Sequence, residues 1–225
     1  MKLYGLICAV LVSGSAWSVA GLNEAGFDNY EAGELLGQQE WRPQGRGEGK
    51  SYSNMRDRAS IKIDPETGNR WLVWNAGFDA GDQTRLVKRF PATTGTRAVA
   101  RLDILPGHET VPGQFIFDFE RTGGTSIRFI KGTLRVAEYG SPRPKDSGVA
   151  FFSPEWNRVE LHFDFDAHIL QAYLNGRNAG SYALPENMLG INELNFFAGG
   201  SNFETGLDNL SIEVVEAFPE PSQKP

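Results

Sequence analysis

Apolar and polar residues alternate along 158–165, where apolar side chains occupy every second position. A period of two predicts a β-strand with one buried face and one solvent-facing face. A second such segment, Ile169–Leu174, follows after a short polar break, and Asn175-Gly176 after it tolerates the positive φ of a tight turn. The pattern therefore predicts consecutive antiparallel strands in this part of the chain.

Short apolar runs separated by turn residues extend over the rest of the chain. No segment within residues 21–215 longer than about ten residues keeps a helical period, which is typical of an all-β sandwich or barrel. About a dozen strands suit two packed antiparallel sheets. The predicted strands are Gly26–Tyr30, Ile61–Asp64, Trp71–Asn75, Thr84–Phe90, Ala98–Ile104, Gln114–Glu120, Ser126–Ile130, Thr133–Tyr139, Val159–Phe165, Ile169–Leu174, Leu194–Ala198 and Leu207–Val215.

Gly and Pro residues mark the connections between these strands. Pro65–Asn69 is predicted to be a hairpin turn, and Asn75–Asp82 is predicted to be a loop rich in Gly and Asp. Gly140–Gly148 is predicted to be a loop, because its two prolines keep it out of a sheet interior. Pro185–Leu189 is expected to form one helical turn.

Both ends of the chain are predicted to lie outside the folded domain. Lys2, the apolar run Leu3–Val12 and the small residues up to Ala20 have the form of a secretory signal peptide cleaved after Ala20. The apolar run is shorter than the roughly 20 residues that a membrane-spanning helix needs. The Pro-rich segment Ala217–Pro225 is predicted to be disordered. We therefore expect a secreted protein, extracellular or periplasmic, with one domain over residues 21–216 and no membrane span.

The composition of the chain limits how its fold can be stabilised and which partners it can bind. Cys8 is the only cysteine, so the secreted part has no disulfide and must be held by its hydrophobic core. The chain contains 22 Lys and Arg against 28 Asp and Glu, and residues 1–20 hold one lysine and no acid, so the remainder carries a net charge of −7. No basic run occurs, which argues against a nucleic acid partner.

Two motifs at the ends of the domain add to the pattern of strands. The opening GFDNYEAGELLGQQEW, the strand led by Trp156 and the closing segment Gly206–Ile212 resemble the concanavalin A-like (laminin-G-like) jelly roll. This resemblance covers Gly26 to Val215 and implies a two-sheet antiparallel jelly-roll sandwich whose last strand lies beside the first. Members of this superfamily include lectins, adhesion modules, glycoside hydrolases and polysaccharide lyases, so the fold alone does not select a function.

Three residues are candidates for catalysis. Asp118 and Glu120 stand two apart on a predicted strand and would form an acid/base pair if they faced a groove. His162, with Glu160 and Asp164 on the same face, is a candidate base. A solvated strand face is the favoured alternative for both groups. Neither the Glu-x-Asp-x-x-Glu motif of laminarinase-like members nor the Gln-x-His motif of alginate-lyase-like members occurs.

Aromatic residues are the candidates for sugar platforms, since an aromatic face packs on the apolar face of a pyranose. Trp41, Trp74 and Tyr139 are the predicted binding residues. Burial in the core is the more common role for a single tryptophan and is the alternative for each. Trp71 and Trp74 are three apart, so a strand would point them to opposite faces.

Five arginines recur at strand spacing: Arg85, Arg89, Arg97, Arg101 and Arg128. If neighbouring strands align them, they would hold carboxylate or sulfate groups of an acidic polysaccharide through bidentate hydrogen bonds. Scattered surface charge is the alternative. Arg128 is the residue of this set that we predict to contact an acidic ligand.

No cofactor is required, but a structural calcium ion is a candidate where the ends of the domain meet. Asp28, Glu31 and Asp208 carry the hard oxygen ligands that calcium prefers, and Asp208 is expected near the first strand if the family pairing holds. The loop Asp79–Asp82 is a second candidate. The alternative for Asp208 is that its side chain caps the preceding turn.

The sequence thus predicts a non-catalytic module that recognises a carbohydrate, neutral or acidic, or another surface or matrix partner. The second hypothesis is a polysaccharide-degrading enzyme, a lyase or glycoside hydrolase, that acts on the concave sheet. An enzyme needs an acid, a base and a charge-stabilising group on one face, whereas a binding module needs aromatic and amide groups there.

Overall fold

Two antiparallel β-sheets make up the computed structural model, which describes residues 21–35, 38–39, 41–46, 59–74, 83–93, 95–107, 113–120, 123–198 and 204–222. This architecture confirms the predicted all-β, two-sheet antiparallel sandwich. The signal peptide predicted over residues 1–20 and the loop Asn75–Asp82 lie outside the described residues. Within the described ranges, no helix has the length and apolar character that crossing a lipid bilayer requires.

The larger sheet has nine strands, in the order β14-β13-β12-β7-β16-β5-β4-β2, with β1 paired to β16. Its long β16 therefore connects the first strand to the centre of the sheet. The strands are β1 (Leu22–Glu24), β2 (Gly33–Glu34), β4 (Ala59–Ile63), β5 (Arg70–Trp74), β7 (Arg97–Leu105), β12 (Asn157–Asp164), β13 (Ile169–Leu174), β14 (Arg177–Ala183) and β16 (Thr205–Val214).

The smaller sheet has seven strands, in the order β11-β10-β9-β8-β15-β6-β3. All of its pairings are antiparallel. The strands are β3 (Arg42–Arg46), β6 (Gln83–Arg89), β8 (Gly113–Phe119), β9 (Gly123–Ile130), β10 (Thr133–Val136), β11 (Lys145–Ala150) and β15 (Glu193–Ala198).

The hydrophobic core lies between the two sheets and is rich in phenylalanine. Phe115 of β8 stacks on Phe196 of β15 with ring centroids 4.5 Å apart. Phe117 of β8 contacts Phe163 of β12 at 5.6 Å, so this pair joins the two sheets across the core. These four rings are fully buried, as the alternation of apolar residues predicts for the inner faces of a sandwich.

Tight turns connect neighbouring strands where the sequence predicts them. Asn175 (φ 51°) and Gly176 (φ 74°) form the two-residue turn between β13 and β14, because both central positions of this turn type need positive φ. The turn at Pro65–Asn69 joins β4 to β5, with Ile63 opposite Arg70. Both predicted turns are confirmed.

The first predicted strand is wrong. Ala25–Phe27 form a short 3-10 turn, because Gly26 (φ 67°) and Phe27 (φ 47°) adopt left-handed backbone that an extended strand excludes. The first strand is instead Leu22–Glu24, which pairs with Leu210–Ile212 of β16. The expectation that the last strand lies beside the first is confirmed.

The four strands at the sheet edges, β2, β3, β11 and β14, are not among the predicted strands. β11 even begins inside the loop predicted over Gly140–Gly148. β11 buries none of its six residues fully, and β14 buries two of seven. An edge strand therefore lacks the regular apolar period that reveals an interior strand.

Candidate functional site

The predicted catalytic residues are divided between the outer faces of two different sheets. Asp118 lies on β8 of the seven-stranded sheet, with Glu120 just beyond its end, whereas His162 lies on β12 of the nine-stranded sheet. The hydrophobic core separates these two faces. Asp118, Glu120 and His162 therefore do not form one site.

One row of side chains crosses the outer face of the seven-stranded sheet, and strand register aligns its members with Arg128. Strand register places Arg128 of β9 between Arg135 of β10 and Gln114 of β8. The row continues to Asp146 of β11 on one side and to Phe197 of β15 on the other. We call these five residues the Arg128 row. Neighbouring side chains in such a row lie about 5 Å apart at Cβ, close enough to contact one ligand.

The two arginines of the Arg128 row carry unused hydrogen-bond donors. Arg135 Nη2 donates to Asp146 Oδ2 at 3.1 Å, but Arg128 has no ion-pair partner among the described residues. The Nε atoms of both arginines are buried and have no acceptor in the described part of the chain. Like charges opposite each other on neighbouring strands destabilise a sheet. An anion bound at this place would relieve the repulsion and would accept hydrogen bonds from the half-buried Arg128 guanidinium.

The predicted set of five arginines is split between the sheets. Arg85, Arg89 and Arg128 lie on the seven-stranded sheet, and strand register places Arg85 and Arg128 in line with Phe197. Three of the five are used in ion pairs with carboxylates: Arg89 with Glu193 (2.7 Å), Arg97 with Asp164 (3.2 Å), and Arg101 with Glu160 (3.2 Å) and with Glu213. Among the four arginines whose side chains are described, Arg128 is the one without a carboxylate partner in the described part of the chain.

Asp118 and Glu120 do not form the predicted pair on a strand face. β8 ends at Phe119, and Glu120 follows in a left-handed conformation (φ 50°), with its N–H donated to Asn192 Oδ1 at 3.0 Å. Strand register instead places Asp118 opposite Glu193 of β15. An open pocket of about 310 Å³ at this end of the sheet is lined by Arg89, Phe90, Glu120, Asn192 and Glu193.

Glu193 is a residue that the sequence analysis missed, because it stands at the first position of its strand and has no motif around it. The Glu193 side chain is buried and accepts hydrogen bonds from Arg89 Nε (2.7 Å) and Asn195 Nδ2 (3.1 Å). These contacts hold Glu193 as a fixed hydrogen-bond acceptor in the lining of the pocket. Glu193 is four residues from Phe197 along β15, so the pocket lies about 13 Å from the Arg128 row.

His162 is covered by the segment that follows β16, which we call the strap (residues 216–222). The ring of Phe218 stacks on His162, with centroids 4.8 Å apart and planes 12° apart. Ser222 donates to Glu160 Oε2 from its hydroxyl (2.7 Å) and from its N–H (3.3 Å). His162 and Glu160 are consequently 2% and 1% exposed. The polar row predicted to face solvent is buried here.

The strap also differs from the prediction of disorder over Ala217–Pro225. Residues 217–222 pack on the nine-stranded sheet, whereas 223–225 lie outside the described residues. A Pro-rich composition predicts disorder because few side chains are apolar enough to offset the loss of chain entropy. Phe218 is the exception within this segment, since its ring gains a stacking partner on the sheet.

Glu160 is the most heavily hydrogen-bonded carboxylate on this face. Burial raises the pKa of Glu160, but hydrogen bonds from His162 and Ser222, together with the charge of Arg101, outweigh that effect and hold the pKa below its usual value. His162 Nε2 lies 2.6 Å from Glu160 Oε1. Glu160 is thus held as an ionised acceptor at neutral pH, which does not suit the role of a general acid.

Two of the three predicted sugar platforms are core residues. Trp41 is 1% exposed, and its Nε1 donates to Tyr30 Oη at 2.9 Å. Trp74 is fully buried in β5. Neither ring has a face open to a ligand, because both sheets pack over them. Tyr139 is 61% exposed, and its N–H donates to Ala183 O of β14, so it lies at the edge of the nine-stranded sheet and outside the Arg128 row.

Asp208 is held by protein donors at the predicted calcium site. Asn69 Nδ2 donates to Asp208 Oδ2 (2.9 Å), and the N–H of Asn209 donates to Asp208 Oδ1 (2.7 Å). Burial raises the pKa of Asp208, and the charges of Asp103 and Asp28 raise it further. These donors are the following residue and a distant asparagine, so the described contacts do not include the predicted cap on the preceding turn.

The described residues around Asp28 and Asp208 do not form a group of calcium ligands. Arg70 Nη1 donates to Asp28 O (2.7 Å), which places a cation beside this carbonyl. In the ranges that the structure covers, no three His, Cys, Asp or Glu side chains are grouped so as to hold a metal ion. The second candidate, Asp79–Asp82, lies outside those ranges. A structural calcium ion stays a prediction from the sequence. A melting temperature that does not change on addition of EDTA would contradict this prediction.

Comparisons with known proteins find structures that are similar to this chain in fold. No protein-family model matches the sequence, and no curated protein matches it. A sialidase structure matches with a TM-score of 0.65 at 14% identity, over 88% of this chain and 19% of the sialidase chain. The binding domain of botulinum neurotoxin DC, in complex with SialylT, matches with a TM-score of 0.55 at 11% identity, over 87% of this chain and 47% of that chain.

A third match is similar in length to this chain. Domain 4 of AbnA, a GH43 extracellular arabinanase from Geobacillus stearothermophilus in complex with arabinotriose, matches with a TM-score of 0.50 at 16% identity, over 87% of this chain and 91% of that domain. The chain spans about a fifth of the sialidase and about half of the toxin fragment. At such identities these structures show that the chain has a β-sandwich fold.

Proposed function

We propose that this chain is a secreted carbohydrate-recognition module of the concanavalin A-like type, and that its Arg128 row binds a carboxylated sugar. The observation that carries the proposal is the Arg128 guanidinium, which lies directly beside Arg135 and has no ion-pair partner among the described residues. A planar guanidinium binds a carboxylate through two parallel hydrogen bonds. The second arginine adds positive potential at the same place.

The neighbours of Arg128 supply the other groups that sugar recognition uses. Gln114 offers an amide for hydroxyl groups, and Phe197 offers an aromatic ring in the same row. Both side chains are partly exposed. Arg128 thus fixes the carboxylate while its neighbours contact the ring of the sugar.

The matched structures support a carbohydrate as the general class of ligand. Two of them are a sialidase and a toxin binding domain in complex with SialylT, and a third is an arabinanase domain in complex with arabinotriose. A β-sandwich of this type is therefore used for sugars in other proteins. Arg128, which has no ion-pair partner within the described ranges, favours an acidic sugar over a neutral one for this chain.

Calorimetric titration with sialyllactose and with lactose tests the proposal, because the two sugars differ by the carboxylated unit. We expect the chain to bind sialyllactose and not lactose. Arg128→Ala is expected to weaken binding by about 30-fold or more, since it removes one partner of a hydrogen-bonded charge pair. Arg128→Lys keeps the charge without the planar fork and is expected to recover only part of the affinity.

Arg177→Ala is the matched control, because it removes the same charge from an exposed position on β14 of the other sheet. This variant is expected to bind sialyllactose as wild type does. A trigalacturonate titration extends the test to uronic acids. Equal affinity for sialyllactose and lactose, or full affinity in Arg128→Ala, would contradict a carboxylate site at Arg128.

A further inference from the structure

The outer face of the nine-stranded sheet holds the strap through contacts at both of its ends. At the start, Arg97 Nη1 donates to Glu216 O (3.1 Å), and the Arg97 guanidinium lies 5.7 Å from the centre of the Phe218 ring. The same ring is stacked on His162. Phe218 therefore contacts both a cation and an imidazole, and these contacts favour an aromatic side chain.

The second anchor of the strap is four residues further on. The Ser222 hydroxyl and N–H both donate to Glu160 Oε2, and charge-assisted hydrogen bonds of this kind are stronger than neutral ones. Pro219 and Pro221 lie between the two anchors. Prolines restrict the free segment to extended conformations, which lowers the entropy lost when it binds.

The groups that receive the strap are held in place by the sheet itself. Glu160 is fixed by His162 Nε2 (2.6 Å) and by Arg101 Nε (3.2 Å). His162 also packs against Tyr173 of β13, with ring centroids 5.0 Å apart. The receiving surface is thus formed by the strands β7, β12 and β13 without any contribution from the strap.

We propose that this surface is a peptide-binding groove for an extended, proline-containing segment with an aromatic residue and, four positions later, a hydroxyl residue. The strap is its ligand in cis. A ligand tethered to its own site has an effective concentration in the mM range, so the strap keeps other peptides out. The groove is on the opposite sheet from the Arg128 row and is independent of the proposed sugar site.

The test uses a fluorescent peptide with the sequence of residues 216–222 and measures its anisotropy with the full chain. Phe218→Ala removes the main anchor of the strap and leaves the sheet unchanged. We expect the peptide to bind the Phe218→Ala chain at least about tenfold more tightly than wild type, because the ring supplies the stacking energy and the wild-type groove is occupied. Circular dichroism confirms that the variant is folded.

Two controls separate the anchors of the groove. A peptide with alanine in place of Phe218 is expected to lose binding to the Phe218→Ala chain. The Phe218→Ala, Glu160→Gln chain is expected to bind the wild-type peptide about tenfold more weakly than Phe218→Ala alone, since it loses the charged acceptor of Ser222. Failure of the peptide to bind Phe218→Ala would overturn the groove, and equal binding to wild type would overturn its occupation by the strap.

Discussion

Trp74→Ala is expected to lower the free energy of unfolding by about 3–5 kcal/mol, the usual cost of deleting a fully buried indole ring. Trp74 has no exposed surface, and alanine would leave a cavity between β5 and the core. Urea denaturation measures the loss as a shift of the unfolding midpoint. Affinity for sialyllactose, measured well below that midpoint, is expected to stay at the wild-type value because the ring has no face open to a ligand.

Trp74→Phe is the matched control for this prediction. The indole Nε1 has no hydrogen-bond acceptor in the described part of the chain, so phenylalanine forfeits only part of the packing. The control is expected to be more stable than Trp74→Ala and less stable than wild type. If Trp74→Ala kept its stability but lost sugar binding, Trp74 would be the exposed platform that its residue type first indicated.

Asp103→Ala is expected to cost about 3–5 kcal/mol of stability, because it leaves the Arg158 guanidinium without its buried partner. Both carboxylate oxygens of Asp103 accept from Arg158 at 2.8 Å, and Asn209 Nδ2 donates to Oδ2 at 2.8 Å. This contact connects β7 to β12 and β16 at the centre of the nine-stranded sheet. Relief of the repulsion between Asp103 and Asp208, which lie opposite each other, offsets part of the cost.

The control for Asp103→Ala is an ion pair on the surface. Glu204→Ala breaks the pair between Lys62 and Glu204, whose side chains are 44% and 53% exposed. Its expected cost is about 0–1 kcal/mol, because water and salt screen exposed charges. Thermal unfolding of both variants in parallel measures the difference. A cost for Glu204→Ala as large as that for Asp103→Ala would show that burial does not set the strength of these pairs.

The strands that could be predicted from the sequence are those with one face in the core. Ile169–Leu174 is found with the bounds that its alternation predicts, because every second side chain of this strand is buried in the core. Edge strands were missed, since a strand such as Lys145–Ala150 has a neighbour on one side and little apolar surface to bury. Gly26 was misassigned because its positive φ depends on the turn it makes and not on hydrophobicity.

The candidate site could be predicted less completely, since it depends on contacts between distant residues. Arg97 and Arg128 are alike in the sequence, but strand register gives Arg97 a carboxylate partner and gives Arg128 another arginine. His162 stands in a row whose period predicts a solvent-facing side. Its cover, Phe218, comes from a segment 56 residues later that composition alone predicts to be disordered.

Nuclear magnetic resonance of the arginine Nε–Hε groups during a sialyllactose titration tests whether the sugar binds at Arg128. The signals of Arg128 and Arg135 are expected to shift together and to saturate, because a bound carboxylate changes the charge environment of both guanidinium groups. The signals of Arg101 and Arg158, which already hold carboxylates, are expected to stay in place. Saturable shifts confined to Arg101 and Arg158, or no shift at Arg128, would contradict a sugar site on the seven-stranded sheet.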